Sequence, residues 1–491
     1  MEAVATIDLE HRYADALPAL GVEFTPVPVR DPKLVIANGR LADELGLDLG
    51  WLTSPDGVAV LAGNAVPAGA RPVAMAYAGH QFGNYSPRLG DGRAVLLGEV
   101  VAADGSLRDL HLKGSGRTPF ARGGDGRASL GPMLREYLVA EAMHALGVPT
   151  TRSLAVAVTG ESVARTGPEP GAVLTRVASS HLRVGTFQYA RFADDGAHLP
   201  ALIGHALGRH HPDGHDDDRP ALALLRHVVD VQAELVAHWM LVGFVHGVLN
   251  TDNTTISGEG IDYGPCAFMD RFDPATVYSS IDHAGRYAYG NQPAIIQWNL
   301  TRLAEAILPE IDPDRDTAVA LATEVLEGFV ERYQGAWSHG MAAKLGLEPD
   351  RPGNSDLFDG LVSLQTAASA DHTLTYRDLA DELRGNPEAL RRRFAEKADA
   401  LDDWLGEWHA ALGDADHDAV ADAMDRVNPV HIPRNHLVEG ALEAAAAGEL
   451  GPFRELLDLV TDPFARRPGD EAATQPAPQE FDAGFRTYCG T

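Results

Sequence analysis

Two stretches of this 491-residue chain have residue types and spacings suited to chemistry at a polyphosphate. His246-Gly247-Val248-Leu249-Asn250-Thr251-Asp252-Asn253 is followed, nine residues after Asn253, by Asp262-Tyr263-Gly264. An amide oxygen from Asn253 and a carboxylate from Asp262 are the hard ligands that Mg²⁺ takes beside phosphate oxygens. Asp252 adds a carboxylate able to accept a proton. The other stretch gathers cations among glycines, in Leu89-Gly90-Asp91-Gly92-Arg93, Lys113-Gly114-Ser115-Gly116-Arg117 and Arg122-Gly123-Gly124-Asp125-Gly126-Arg127. Glycine lets backbone amides approach an anion closely, and Arg or Lys supplies the counter-charge. The plain alternatives are a polar turn with a chance Asp-x-Gly, and surface turns with solvated arginines.

The elements that must position these residues are legible as periodicities. Arg93 to Val101 is a β-rich run, and Leu107 to Lys113 alternates Leu110 and Leu112 against polar neighbours, so Lys113 ends a strand. A helix follows, with Ser129 as its cap, Leu134, Leu138 and Leu146 near helical spacing, and Gly147 and Pro149 at its end. Glu136 lies in that helix, placed either to hold Lys113 or to form a solvated pair with Arg135. Further strands are predicted over 154–158 and 172–177. Asn38 caps a short helix bearing Leu41 and Leu45. Ala221 to Val245 reads as one long apolar helix, 246–273 as a loop and hairpin, 300–460 as acidic helices, and 467–480 as a linker or mobile tail. His210 to Asp218 is a polar loop whose His and Asp content offers a metal site or simply a solvated face.

The charge is unevenly distributed. The chain has 40 Lys+Arg against 70 Asp+Glu, a formal net charge of −30. Residues 71–186 hold 13 Lys+Arg and 9 Asp+Glu, so the cations collect where the glycines are. The acidic whole argues against nucleic acid or an anionic membrane as partner. Two cysteines, Cys266 and Cys489, exclude a disulfide scaffold and a Cys-rich zinc module. Met1-Glu2-Ala3-Val4 does not open a signal peptide, and no uncharged stretch of ~18 apolar residues occurs. The expectation is a soluble, cytoplasmic protein.

Gly-rich strands, a strand-end lysine, a helix with an inward glutamate, a helical region and then a catalytic hairpin is the order of a protein kinase. The expected fold is α+β, kinase-like and bilobal. Residues 1–185 would form a strand-rich lobe, 186–465 a helical lobe with extra C-terminal helices, and 466–491 a flexible tail. One departure matters: the position of a kinase's catalytic Asp holds Val248, which cannot accept a proton. Asp252 is the one carboxylate in the loop that can.

The sequence also resembles the selenoprotein O family, kinase-like protein adenylyltransferases. The likeness rests on Phe24-Thr25-Pro26, Tyr77-Ala78-Gly79-His80-Gln81-Phe82-Gly83, the 89–93 and 112–116 words, the 246–264 loop and the terminal Cys489-Gly490-Thr491. It implies that ATP binds in a reversed orientation, that AMP passes to Ser, Thr or Tyr hydroxyls of proteins, and that pyrophosphate leaves. By the same likeness Lys113, held by Glu136, binds phosphate, and Arg176 and Arg183 clamp the other phosphates. Gly90, Gly92, Arg93, Asp125 and Gly126 line the ATP site, Asp252 is the base, and Asn253 and Asp262 carry Mg²⁺ or Mn²⁺. Members of the family carry selenocysteine or cysteine near the C-terminus, here Cys489. A disulfide to Cys266 would gate the site by redox state; two unrelated thiols are the alternative. A kinase transferring the γ-phosphate is disfavoured by Val248. A non-catalytic, pseudokinase scaffold is disfavoured by the complete Lys, Glu, Asn and Asp set.

Overall fold

Strand alternation and helical periodicity combine in a mixed α+β fold. The computed structural model describes residues 7–165 and 167–488. Strands β1 (Gly21–Glu23), β2 (Lys33–Ala37) and β3 (Val73–Met75) precede a separate hairpin of β4 (Gly79–Gln81) and β5 (Asn84–Ser86). Then come β6 (Ala94–Val101), β7 (Leu107–Lys113), the short β8 (Ala128–Ser129), β9 (Arg152–Ala164) and β10 (Pro168–Ala178). The main sheet runs β1-β3-β6-β7-β10-β9-β2, with β8 paired to β10 and every pair antiparallel.

Register decides which residues share a face. Leu174 lies opposite Lys113 and Arg176 opposite His111, so the period of two puts Lys113, His111 and Arg176 on one face of the sheet. The helix Leu130–Ala145 packs against that face through Met133, Leu134 and Leu138, with Val156 and Leu174 beneath it. Glu136 on the same helix is thereby brought to the two cations. On the opposite face Leu110, Leu112, Val173 and Val177 pack against Leu41, Leu45, Leu52 and Leu61 of three short helices. The first of these starts as predicted, with Asn38 Oδ1 accepting from Leu41 N at 3.1 Å. β9 and β10 run past the predicted 154–158 and 172–177 because they continue pairing with each other out to Ala164 and Pro168.

The rest is mainly helical. The helix Pro220–Val242 packs against Gln292–Ile311 and Arg315–Lys344 around a core that includes Leu225, Val229, Val236 and Leu300. It ends at Val242, three residues before the predicted end. Gly243 turns left-handed (φ 72°), and Phe244–Val245 instead pair as a strand, β11, with Ala267–Phe268, β12. The pair β11 and β12 brackets the loop 246–266. Among the described residues no helix is long and apolar enough to cross a membrane.

The 467–480 segment is not a free linker. Arg434 is fully buried between Asp270 and Asp371, and its second guanidinium nitrogen donates to Thr474 O at 2.7 Å. Ala477 N donates to Asp270 Oδ2 at 2.8 Å, and Phe485 packs on Tyr278. Thr487 N donates to Tyr278 O at 2.8 Å, so the described end of the chain is tied to the segment beyond Asp262. Removing one member of a buried ion cluster leaves the others unpaired. Arg434→Ala is therefore expected to cost about 3–5 kcal/mol of stability, read as a lowered midpoint in thermal or denaturant unfolding.

Candidate active site

A cavity of about 600 Å³ is lined from both halves of the chain and collects the residues singled out above. Gly90, Gly92, Arg93, Lys113, Asp125, Gly126, Arg176, Arg183, Asp252, Asn253 and Asp262 all reach it. Glu136 lies behind it, fully buried.

One wall is a cluster of paired charges. Lys113 Nζ donates to Glu136 Oε2 at 2.6 Å and also to Asp262 Oδ1. Arg176 Nε donates to Glu136 Oε1 at 2.7 Å, and its guanidinium approaches Asp262 Oδ1 at 3.6 Å. Glu136 thus holds two cations, one more than expected. Burial alone would raise its pKa, but Arg176 and Lys113 bring it below the ordinary value. The same contest, won by Lys113 and Arg176, holds Asp262 well below the carboxylate range. Asp262 also has a left-handed backbone (φ 64°), a conformation that Asp tolerates better than most residues with a side chain. Arg135, the alternative partner for Glu136, instead pairs with Glu439.

The opposite wall is the 246–253 loop. His246 is fully buried, and its Nε2 hydrogen-bonds to Ile261 O at 2.9 Å, tying the two ends of the loop together. Asn253 Nδ2 donates to Val248 O at 3.0 Å. Arg183 donates from a terminal guanidinium nitrogen to Asp252 O at 2.9 Å and lies over the Tyr77 ring at 4.5 Å. Asp252 is itself nearly buried: Oδ2 accepts from Gln81 Nε2 at 3.1 Å, while Oδ1 is enclosed without a partner. Burial pushes its pKa up to about 6 against the hydrogen bond from Gln81. Val248 lines the same cavity and brings no polar side-chain atom to it.

The glycines that line the cavity also meet a packing demand. Gly90 (φ 70°) and Gly126 (φ 73°) need left-handed backbone, and a Cβ would fall 2.3 Å from the Phe120 ring at Gly90 and 2.1 Å from Arg117 N at Gly126. Both serve the packing of one Gly-rich loop on another. The first turn is further pinned by Asp91, whose Oδ2 accepts from Met75 N at 3.1 Å and meets His111 Nε2 at 2.9 Å. Asp125 sits at the rim, paired with Arg165 at 2.8 Å. Gln81, Asp91, His111 and Arg165 were not picked out by sequence reasoning as site residues. Gln81 stands in the 77–83 word, where length and lack of gaps were the only signal.

For a divalent cation the available donors are oxygens. The Asp262 carboxylate and the Asn253 amide, whose nitrogen is already committed to Val248, fit such an ion. Among the described residues no group of three or more His, Cys, Asp or Glu is arranged to hold a metal, including the 210–218 segment. A cation at Asn253 and Asp262 would complete its oxygen shell with phosphate oxygens and water. Cys266 is fully buried, and burial pushes its thiol up to about 12. Cys489 lies outside the described residues.

Comparison with known proteins agrees with the cavity. The family model described as protein adenylyltransferase SelO matches residues 5–461. The chain belongs to this family. It is 56% identical over 489 residues to the protein nucleotidyltransferase YdiU of Mycobacterium sp. (strain KMS), covering 99% of this chain and 100% of that one. The protein of the same name from Pseudarthrobacter chlorophenolicus is 56% identical over 495 residues, covering 100% of this chain and 99% of its own. That from Cereibacter sphaeroides is 52% identical over 487 residues, with 99% and 100% covered. In this member of the SelO family, the two cavity walls face each other as a cation cluster and a buried carboxylate.

Proposed function

We propose that the chain transfers the adenylyl group of ATP to Ser, Thr or Tyr hydroxyls of proteins and releases pyrophosphate, with Asp252 as the general base. The observation that carries the reading is the combination of a paired cation cluster with a displaced base. Val248 leaves the usual position without a carboxylate, and Asp252, four residues on, lines the same cavity with a raised pKa. Family membership and the names of the relatives support transfer of a nucleotidyl group to protein. The kinase-like reading of the fold, with lobes at 1–185 and 186–465 and a tail at 466–491, belongs to the same proposal. So does a cytoplasmic location.

In this mechanism Lys113, kept in place by Glu136, binds phosphate together with Arg176 and Arg183. Arg93 and the Gly-rich loops around Gly90, Gly92, Asp125 and Gly126 enclose the nucleotide. Asn253 and Asp262 would hold Mg²⁺ or Mn²⁺, which supplies charge neutralisation at the phosphates. Asp252 orients the acceptor hydroxyl and takes its proton. A free Asp, with a pKa near ~4, is a weak base for that task. Burial brings Asp252 to about 6, closer to the range in which a base works near neutral pH. Fixed cations facing the phosphates stabilise charge as it develops on the departing pyrophosphate.

The Cys266–Cys489 disulfide is part of the proposal as well. The tail's approach supports it, since Thr487 Oγ1 donates to Pro265 O at 2.5 Å, one residue before Cys266. Closure would take two exchanges. The Cys489 thiolate attacks an added disulfide oxidant and releases one of its thiols. Cys266, which burial keeps protonated until it gives up its proton, then displaces the oxidant's second thiol from that mixed disulfide. Two free thiols by mass spectrometry after oxidant treatment would remove this part. The activity itself is tested by product analysis with a protein acceptor. Pyrophosphate together with an acceptor heavier by one adenylyl group is the expected result; ADP with a phosphorylated acceptor contradicts it.

A further inference from the structure

Beside the assigned residues, the hairpin β4–β5 makes a set of contacts to the loop that carries Asp252. His80 N donates to Thr251 Oγ1 at 2.7 Å, and Phe82 N donates to Asn250 Oδ1 at 3.1 Å and to Tyr287 OH at 3.0 Å. Thr251 Oγ1 in turn donates to Gln188 Oε1 at 2.7 Å. The hairpin turns at Phe82 (φ 50°) and Gly83 (φ 82°), both left-handed as a tight two-residue turn requires. Phe82 pays for that conformation with its two hydrogen bonds. The hairpin is therefore registered, residue by residue, on the two positions that precede Asp252.

We infer that Gln81 is a positioning residue for Asp252: its side-chain amide fixes the carboxylate oxygen on the cavity side, while Gly79 leaves room for the other. This rests on the reading of Asp252 as base. Gln81 and Asp252 both line the cavity, and Gln81 Nε2 donates to Oδ2 at 3.1 Å. Oδ1 is enclosed, and a Cβ on Gly79 would fall 2.4 Å from it. Gly79 has no left-handed backbone to excuse its being glycine, so the constraint there is space, for the carboxylate first and for Leu89 Cδ1, which a Cβ would meet at 2.8 Å, second. Oδ2 keeps a second lone pair for the acceptor hydroxyl. Without the amide the carboxylate turns about its last torsion, which is broad and weakly restrained, and that lone pair no longer faces the hydroxyl.

The test compares Gln81→Leu, Gln81→Glu and Gly79→Ala in the full chain. The measurements are AMP transfer from α-labelled ATP to a protein acceptor, ATP affinity by titration calorimetry, and thermal midpoint. Loss of alignment at a reacting centre costs up to roughly 100-fold. The inference predicts kcat lower by about 10- to 100-fold in both Gln81 variants, with ATP affinity and acceptor KM unchanged within about twofold. Gly79→Ala is expected to lose kcat as well, since its methyl group displaces Oδ1. Glu at this position either sets a like charge beside Asp252 or, protonated, still donates. Gln81→Leu, which keeps bulk without any donor, is therefore the deciding variant, and a packing role would leave it at wild-type kcat. That result overturns the inference. So does a parallel loss of kcat and ATP affinity, which would mean that the hairpin has come away as a whole. Wild-type protein that transfers no AMP would instead overturn the functional reading, and this inference with it.

Discussion

Asp252→Ala lowers AMP transfer by about 10²–10⁴-fold, the usual worth of a general base, to the edge of detection. ATP affinity stays within a few-fold of wild type. The asymmetry follows from where Asp252 reaches. Its side chain touches Gln81 and packs against Gly79. The cations expected to hold the phosphates are organised by Glu136 and Asp262. Alanine also keeps the backbone carbonyl on which Arg183 rests, so that cation stays in position. Little stability is at stake, because Oδ1 has no partner to lose and only Gln81 gives one up. Calorimetric titration of ATP into the variant, beside the transfer assay, checks both halves. Near wild-type transfer would remove Asp252 from its role.

Lys113→Ala has the second large effect and a different signature, with ATP binding and transfer lost together. A hydrogen bond to a charged group is worth about 1.5–3 kcal/mol, which is roughly a 10- to 150-fold weakening of ATP binding. The variant also leaves Glu136 buried with Arg176 as its remaining ion-pair partner, so part of the loss would come from a disturbed fold. Glu136→Gln separates the two effects. It keeps the shape of the side chain while loosening its hold on Lys113 and Arg176, and it is expected to weaken ATP binding in a protein that still unfolds cooperatively. Calorimetry and a thermal melt on the same sample distinguish them. If Glu136→Gln bound ATP as wild type does, Glu136 would not be what keeps Lys113 in place.

Much of this arrangement was legible because it is local. Leu110 and Leu112 alternate, and β7 ends at Lys113 as they indicate. Asn38 opens a short helix and its side chain caps it, as its residue type and place before Leu41 indicate. The 246–264 loop carries its spacing within a few turns of chain. The unread parts involve partners far apart in sequence. Gln81 reaches Asp252 and Arg135 reaches Glu439, and no periodicity connects residues so distant. Arg176 could be placed on a strand, but its contact with Glu136 depends on the β7–β10 register and on how the helix Leu130–Ala145 lies across it. Glycine could be recognised as a backbone requirement. Whether the neighbour was a phosphate or Phe120 could not, because the facing loop lies elsewhere in the chain. The end of the chain looked like a linker by composition, yet Arg434, Asp270 and Tyr278 hold it down.

Which phosphate of ATP reaches the protein is the sharpest question the cavity poses. The protein is incubated with Mg²⁺, a protein acceptor and ATP labelled at either the α- or the γ-phosphate, and label on protein is counted after denaturing separation. Transfer from the α position alone, abolished by Asp252→Ala, is the predicted result. Label from the γ position would make the chain a kinase despite Val248, and label from neither would leave only a nucleotide-binding scaffold.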